Sequence, residues 1–232
     1  LNRSYKHLIV GFSIILLPLI GLFAFSFVSG INLKTIFYDL GVSALRLCIA
    51  FVIAMILAWV LVVWFVRGRT SGPTLAAFDV LQSVPTFALL PVAVHIWGPS
   101  TLTIIFFLVI TVIWPIIFSI VSALKQVNKS WTEAVIISRI SGLDYIRFYL
   151  LPLTAPGIIT GAIIGLGEGW EALIGTEIIL NAPHGLGAFF QSFSNSSSMT
   201  LFGVLIFLAI IYAINKFIWL PLLERSHELV EE

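Results

Sequence analysis

The sequence predicts an all-α, polytopic membrane protein with six transmembrane helices and one long cytoplasmic loop. Of its 232 residues, 59% are hydrophobic and only 10% are charged, whereas soluble domains carry about 25% charged residues. The mean hydropathy is +1.11. Six apolar stretches are each long enough to cross a hydrocarbon core of about 30 Å, and one charged stretch separates the fourth from the fifth.

The predicted spans share an apolar composition. They cover residues 8–28, 47–66, 75–97, 102–124, 153–179 and 201–223. The first is longer than the apolar region of a secretory signal peptide, about 7–15 residues, so we interpret it as a span. Residues 30–41 are expected to be a short polar connector. We expect residues 1–232 to form a single transmembrane domain.

The positions of Lys and Arg orient these spans. If the N-terminus lies inside, only Lys34 and Arg46 of the twelve basic residues fall outside. Cytoplasmic loops of membrane proteins carry an excess of Lys and Arg. We therefore expect both termini, and the loop formed by residues 125–152, on the cytoplasmic side of the cell's inner membrane.

The cytoplasmic loop carries signals for two short helices. Ser130 and Glu133 have the spacing of a capping box, in which each side chain bonds to an amide at the helix start. A glycine closes many helices because it tolerates the left-handed conformation, so Gly142 predicts a sharp turn. A second helix over residues 143–150 follows, and Pro152 is expected to open the next span.

The same loop resembles the "EAA" loop of ABC importer permeases. Glu133-Ala134 precedes Leu151-Pro152 at the family's distance, and residues 151–158, LPLTAPGI, are similar to the ending found in the nitrate/sulfonate/taurine branch. Arg139 stands where that family usually has Gly, and Gly142 is expected to take over the turn. Other patches also match: Ser83-Val84-Pro85, Leu90-Pro91, Trp97-Gly98, residues 177–179 and residues 185–187.

This resemblance implies a type I ABC importer permease fold and the function of the transmembrane subunit of an ATP-driven importer. The implied partners are a pair of ATPase subunits that hold ATP and Mg, a second copy of this chain, an extracytoplasmic substrate-binding protein and the lipid bilayer. The implied ATPase-coupling residues are Glu133, Ala134, Arg139, Gly142, Leu151 and Pro152. The mechanism implied is alternating access.

The remaining composition excludes other classes of protein. The net charge of +1 offers no basis for nucleic acid binding, and the single cysteine, Cys48, excludes a disulfide framework. We interpret Cys48 as a buried packing residue. The sequence has no GxSxG, HExxH or P-loop pattern. We therefore expect no enzyme activity, and no cofactor bound by this chain.

Four glycines in the fifth predicted span recur every four residues: Gly157, Gly161, Gly165 and Gly169. Such a ridge of small residues allows another helix to approach closely in lipid. The neighbour can be a helix of the same chain or of a second copy, and the sequence leaves both open. Because Gly167 and Gly175 lie in the same span, we expect its outer half to be irregular.

Three acidic residues in that outer half, Glu168, Glu171 and Glu177, are predicted to line the translocation pathway. Ionisable residues at membrane depth are costly and usually functional. Pro85 and Pro91 are assigned to the same pathway because transmembrane prolines allow a bent helix. A structural ion pair with Arg46 is the alternative. Metal binding with His95 or His184 lacks ligand spacing.

The glutamates also permit a different function, a secondary transporter or channel that uses them as proton sites. An internal repeat would favour that function, and the first three spans do not resemble the last three. The resemblance suggests small anions as substrates of the branch. Because an anion pathway needs fixed positive charge, the three glutamates favour a neutral or cationic organic solute.

Overall fold

The computed structural model describes residues 16, 20–65, 71–127, 129–214, 216, 217 and 221. These residues are mostly helical and contain no β-strand, which confirms the all-α prediction. In chain order the helices are α1 (Ile20–Ser29), α2 (Leu33–Phe65), α3 (Ser71–Gln82), α4 (Thr86–Trp97), α5 (Thr101–Lys125), α6 (Lys129–Ile137), α7 (Gly142–Tyr145), α8 (Leu151–Ile179), α9 (Leu186–Ser192) and α10 (Ser197–Ile214).

Among the described residues, three helices are long and apolar enough to cross a membrane. They are α2, α5 and the continuous helix Gly142–Ile179, which contains α7 and α8. The α3–α4 pair passes the same test as one broken segment and makes a fourth. The described parts of α1 and α10 are shorter. The first and last predicted spans, residues 8–28 and 201–223, lie partly outside the described residues.

Helix α2 corrects the predicted connector at residues 30–41. The helix begins at Leu33, because Asn32 caps it: its Oδ1 accepts a hydrogen bond of 2.9 Å from the Lys34 amide. A side-chain oxygen at this position satisfies an amide that has no partner within the helix. The second apolar span is thus preceded by further helical turns.

The third predicted span is two helices that meet at a bend of 75°. The break falls at Ser83-Val84-Pro85, where Pro85 adopts an extended conformation with φ −61° and ψ 110°. Proline disfavours helical backbone in the residue before it and lacks an amide donor. The bend predicted at Pro85 is therefore present, whereas Pro91 lies inside the helix α4.

The helix that ends at Ile179 begins earlier than predicted, at Gly142 instead of residue 153. A π-helical turn at Ile146–Leu150 joins α7 to α8. Proline inside a helix clashes with the carbonyl group four residues before it. For Pro152 that carbonyl belongs to Phe148, which lies in the π turn, where the backbone is wider than in an α-helix. The π turn therefore allows the helix to continue through Pro152.

The glycine ridge of α8 packs against α5. A methyl group added at Gly157 would lie 2.6 Å from the Ser119 carbonyl oxygen, and one at Gly161 would lie 2.9 Å from the Pro115 oxygen. The outer half of α8 remains helical to Ile179, so the expectation of an irregular backbone there is wrong. The glycines shorten the distance between two helices instead of breaking one.

The described residues form two compact units, whose boundaries fall inside α2 and α8. One contains residues up to Leu45 and those from Ile174 to Pro221, and the other contains Arg46 to Leu173. In the first, an aromatic cluster surrounds the ring of Phe25, with ring centroids of Phe189, Phe193 and Phe202 at 5.3–5.6 Å. In the second, α5 supplies much of the core, with side chains of 0% exposure: Leu108, Val112, Ile116, Ile117 and Ile120.

Candidate functional site

The segment from Lys129 to Leu151, here named the docking segment, contains α6, a tight turn, α7 and the π turn. The capping box predicted Ser130 as the residue that caps α6. The helix begins at Lys129 instead, so Ser130 lies inside its first turn. Glu133 is exposed on α6. The side chain of Ala134 lies outside the described residues.

Two residues in the turn of the docking segment adopt left-handed backbone conformations. Gly142 has a φ of 63°, as predicted, and Arg139 has a φ of 51°. Arg139 is the second residue after the last residue of α6, which is the position where helices usually end on glycine. A residue with a Cβ pays about 1–2 kcal/mol for this conformation. A glycine at position 139 would adopt the same backbone conformation without that cost.

Apolar side chains of the docking segment are exposed. The exposed fractions are 80% for Ile137 and 82% for Leu143. Residues from Val135 to Ile146, with Arg139 among them, line an open groove. Leu151 and Pro152, at the end of the segment, are exposed too. The coupling residues predicted from sequence thus lie along one stretch, and those with described side chains are accessible.

The three glutamates of α8 do not share one environment. Glu168 and Glu171 are exposed, one helical turn apart, and Gly167 beside them has no atom within 4 Å of an added Cβ. Glu177 has 0% exposure. The structure thus brings Glu168 and Glu171 to one accessible face, whereas Glu177 is buried there and its role in a pathway stays a prediction.

Glu177 is buried because other groups of its own compact unit donate hydrogen bonds to it. The Ser43 hydroxyl donates to its two carboxylate oxygens at 2.8 and 2.9 Å, and the Gly187 amide donates to Oε2 at 2.8 Å. A buried carboxylate needs such donors in place of water. These hydrogen bonds therefore account for the burial of Glu177.

The contacts of Glu177 belong to a larger set, here named the loop clamp: Asp39, Ser43 and Glu177 with the amides of residues 185–187. The Gly185 amide donates to Asp39 Oδ1 at 3.0 Å, and the Leu186 amide donates to Ser43 Oγ at 2.8 Å. These amides begin α9 and have no acceptor within that helix. Three side chains from α2 and α8 therefore hold the start of α9.

The loop clamp explains why glycines flank Leu186. A methyl group added at Gly185 would lie 2.6 Å from both carboxylate oxygens of Glu177, and one at Gly187 would collide with the Glu177 Cβ. Asp39 and Ser43 were missed from the sequence. The sequence signal that could have found them is a pair of polar residues one turn apart in an apolar helix. In the structure their exposed fractions are 7% and 0%.

The remaining polar residues give no metal centre among the described residues, which contain no group of three or more His, Cys, Asp or Glu suited to a metal. His184 lies 3.8 Å from Asp39 and its ring contacts that of Tyr38 at 5.2 Å. His95 is exposed on α4. Cys48 is exposed rather than buried, because it lies on a face of α2 that the described residues do not cover.

A family model for the inner membrane component of binding-protein-dependent transport systems matches residues 50–220. The chain belongs to this family. The match contains the whole docking segment, α8 and the loop clamp's Glu177 and 185–187, so the resemblance drawn from the sequence is confirmed. Together with the apolar helices, it identifies a multi-pass membrane protein.

Relatives in this family include permease proteins of three transport systems. The chain is 34% identical over 135 residues to a nitrate import permease protein, NrtB, of Leptolyngbya laminosa, covering 58% of this chain and 47% of that one. It is 29% identical over 112 residues to the bicarbonate transport system permease protein CmpB of Synechococcus elongatus, covering 48% and 40%. It is 32% identical over 114 residues to the taurine transport system permease protein TauC of Escherichia coli, covering 49% and 41%.

The relatives match the nitrate/sulfonate/taurine branch that the sequence motifs indicated. The chain spans about half the length of the curated relatives it matches, or less: 47%, 40% and 41% of the three above.

Proposed function

We propose that this chain is the transmembrane subunit of an ATP-driven importer that moves a small solute into the cell. The observation that carries the proposal is the family match over residues 50–220. The relatives that share this region are named as permease proteins of import or transport systems for nitrate, bicarbonate and taurine. We extend the shared role to this chain, with six spans and both termini in the cytoplasm.

The docking segment is proposed as the surface that binds the ATPase. With the orientation set by Lys and Arg, it lies in the cytoplasm, where Ile137 and Leu143 expose 80% and 82% of their surface. Exposed apolar patches in water mark binding sites for partners. A separate pair of ATPase subunits would cover this patch. Those subunits would hold ATP and Mg and supply the energy for transport.

The transport mechanism is proposed to be alternating access, in which closure of the ATPases moves the docking segments and opens the pathway outward. Helix α8 connects the two ends of this process, because one continuous helix runs from Gly142 in the docking segment to Ile179. Glu168 and Glu171 lie along it on an exposed face. We propose that this face lines the pathway. We propose that Pro85, at the bend between α3 and α4, and Pro91 line it too.

The solute is proposed to be small and polar. The carboxylates of Glu168 and Glu171 disfavour a simple anion and favour a neutral solute or one with a cationic group. Two copies of this chain are proposed to form the pathway, since each chain offers one docking segment to a paired ATPase. A native mass spectrum of the solubilised complex with one copy, or with a second and different permease, would refute the homodimer.

The test of the proposed function is uptake in proteoliposomes. The permease, the ATPase subunit and the binding protein are reconstituted together, and uptake of labelled nitrate, bicarbonate, taurine and a panel of neutral and cationic solutes is measured with ATP inside. We expect uptake of one solute class only when the ATPase and ATP are both present. Uptake driven by a proton gradient without the ATPase would establish a secondary transporter instead.

A further inference from the structure

We infer that Arg139 binds a carboxylate on the ATPase subunit and thereby selects which ATPase this permease accepts. The inference rests on the proposed docking function and adds the chemistry of one contact to it. Three observations carry it: the backbone conformation of Arg139, the surroundings of its side chain and the geometry of the guanidinium group.

The backbone conformation of Arg139 carries a steric cost. Both Arg139 and Gly142 have positive φ values, 51° and 63°, yet only one of the two is a glycine. Glycine adopts this conformation without a steric penalty. Non-glycine residues in such conformations cluster at active sites, ligand clamps and switch regions. The conformation therefore singles out Arg139 within the docking segment as a candidate contact residue.

The side chain of Arg139 lies on an exposed apolar surface. It is exposed at the open groove that residues from Val135 to Ile146 line. Within the part of the chain that the structure describes, no carboxylate forms an ion pair with it. Apolar neighbours such as Ile140 and Leu143 are exposed as well. Among the described residues, the guanidinium is thus a cation that a partner's carboxylate can reach.

The chemistry of this position defines the partner group. A guanidinium presents parallel N–H donors that match the two oxygens of a carboxylate. Surrounding apolar side chains exclude water when the groove is covered, which strengthens that pair. A mismatched partner would leave the charge buried without a counter-ion, a strong penalty. An acidic side chain on the ATPase surface is therefore the group that this groove accepts.

The test is an affinity measurement with the full permease in lipid nanodiscs and its purified ATPase subunit. The Arg139→Gly variant removes the side chain and relieves the backbone, so its unfolding temperature should equal or exceed that of the wild type. We expect its affinity for the ATPase to fall about tenfold, the worth of one hydrogen-bonded charge pair. Its salt dependence should flatten, because salt screens the attraction between the exposed guanidinium and a carboxylate before the two proteins associate.

Lys125→Gln is the matched control. Lys125 is an exposed cation in the last turn of α5, outside the docking segment. We expect this variant to bind the ATPase like the wild type. Arg139→Lys, which keeps the charge without the paired donors, should bind with intermediate affinity.

Three outcomes would overturn the inference. Wild-type affinity and salt dependence in Arg139→Gly would show that no carboxylate is bound there. A loss of affinity that appears only in nanodiscs containing phosphatidylglycerol, and is absent in pure phosphatidylcholine, would assign Arg139 to a lipid headgroup. Failure of the wild-type permease to bind the ATPase at all would overturn the docking function itself.

Discussion

At the scale of single residues, the loop clamp shows how one buried carboxylate fixes a loop. Glu177 accepts hydrogen bonds from the Ser43 hydroxyl and from the Gly187 amide, at the start of α9. An acceptor is favourable there because the first amides of a helix have no partner within it. The carboxylate thus stabilises the short helix that follows Gly185.

The Glu177→Gln variant tests this arrangement. An amide keeps the shape of the side chain but turns one acceptor oxygen into an N–H donor and carries no negative charge, so the hydrogen bonds from Ser43 and Gly187 weaken. Hydrogen bonds to charged groups contribute about 1.5–3 kcal/mol. We expect amide hydrogen exchange at residues 185–187 to accelerate in the variant, measured by mass spectrometry on the solubilised protein.

Glu171→Gln is the control, because Glu171 is exposed on the same helix. Its exchange pattern at residues 185–187 should match that of the wild type. Unchanged exchange in Glu177→Gln would show that the backbone, rather than the carboxylate, holds this loop.

At the scale of elements, α8 depends on its contact with α5. Val112, Ile116 and Ile120 of α5 recur every four residues, as do the glycines of α8 that face them, and all three have 0% exposure. In lipid, helices associate through close packing of this kind, since lipid tails are as apolar as the side chains.

Gly161→Ala should disturb this packing. The added methyl group would lie 2.9 Å from the Pro115 oxygen, and backbone atoms cannot rotate away as a side chain can. We expect a loss of about 1–3 kcal/mol in stability, typical of overpacking, seen as a lower unfolding temperature in detergent. Gly41→Ala, on an open face of α2 with no atom within 4 Å, should be neutral or stabilising. Equal unfolding temperatures for the two variants would contradict the packing assignment.

The docking segment is the second element whose geometry depends on one residue. Gly142 has a φ of 63°, and a β-branched side chain at this conformation is strongly strained. We expect Gly142→Val to weaken co-purification of the ATPase while the permease remains in the membrane. Ser141→Val is its control, because Ser141 has a φ of −143°, which valine adopts readily. Normal ATPase attachment in Gly142→Val would remove the turn from the docking mechanism.

At the scale of the whole molecule, the exposed pair Glu168 and Glu171 concerns the route of the solute. We expect cysteines placed at either position, in a Cys48→Ala background, to react with a membrane-impermeant thiol reagent added from outside. Charged groups exposed to lipid near the membrane centre would cost about 2.5–3.5 kcal/mol each, so water is the favoured surrounding. The reactivity should change with the nucleotide state of the ATPase.

The measurement is labelling yield with ATP, with ADP and without nucleotide. Constant labelling in all states would place the pair on a static outer surface. Absence of labelling in every state, together with loss of transport in Glu168→Gln, would place it in a buried network instead, and the pathway assignment would be withdrawn.

The amino-acid sequence by itself determined the class of the protein, because class depends on composition and local pattern. Long apolar stretches can only form helices in lipid, and the Lys and Arg distribution predicts an orientation without any tertiary contact. Local stereochemistry likewise predicted the bend at Pro85 and the turn at Gly142. The motif at residues 151–158 indicated the family branch, which the comparison of residues 50–220 then confirmed.

Tertiary structure alone decided which polar and small residues have partners. The sequence treated Glu168, Glu171 and Glu177 alike, yet the third is buried and accepts hydrogen bonds from Ser43, 134 positions away. The partner of Gly157 and Gly161 was likewise undecided from the sequence, because their spacing fits a contact within one chain or between two. The structure shows that they contact α5 of the same chain. Burial and pairing depend on which residues the fold brings next to a side chain. A pattern along the chain shows only which kinds of contact that side chain is able to make.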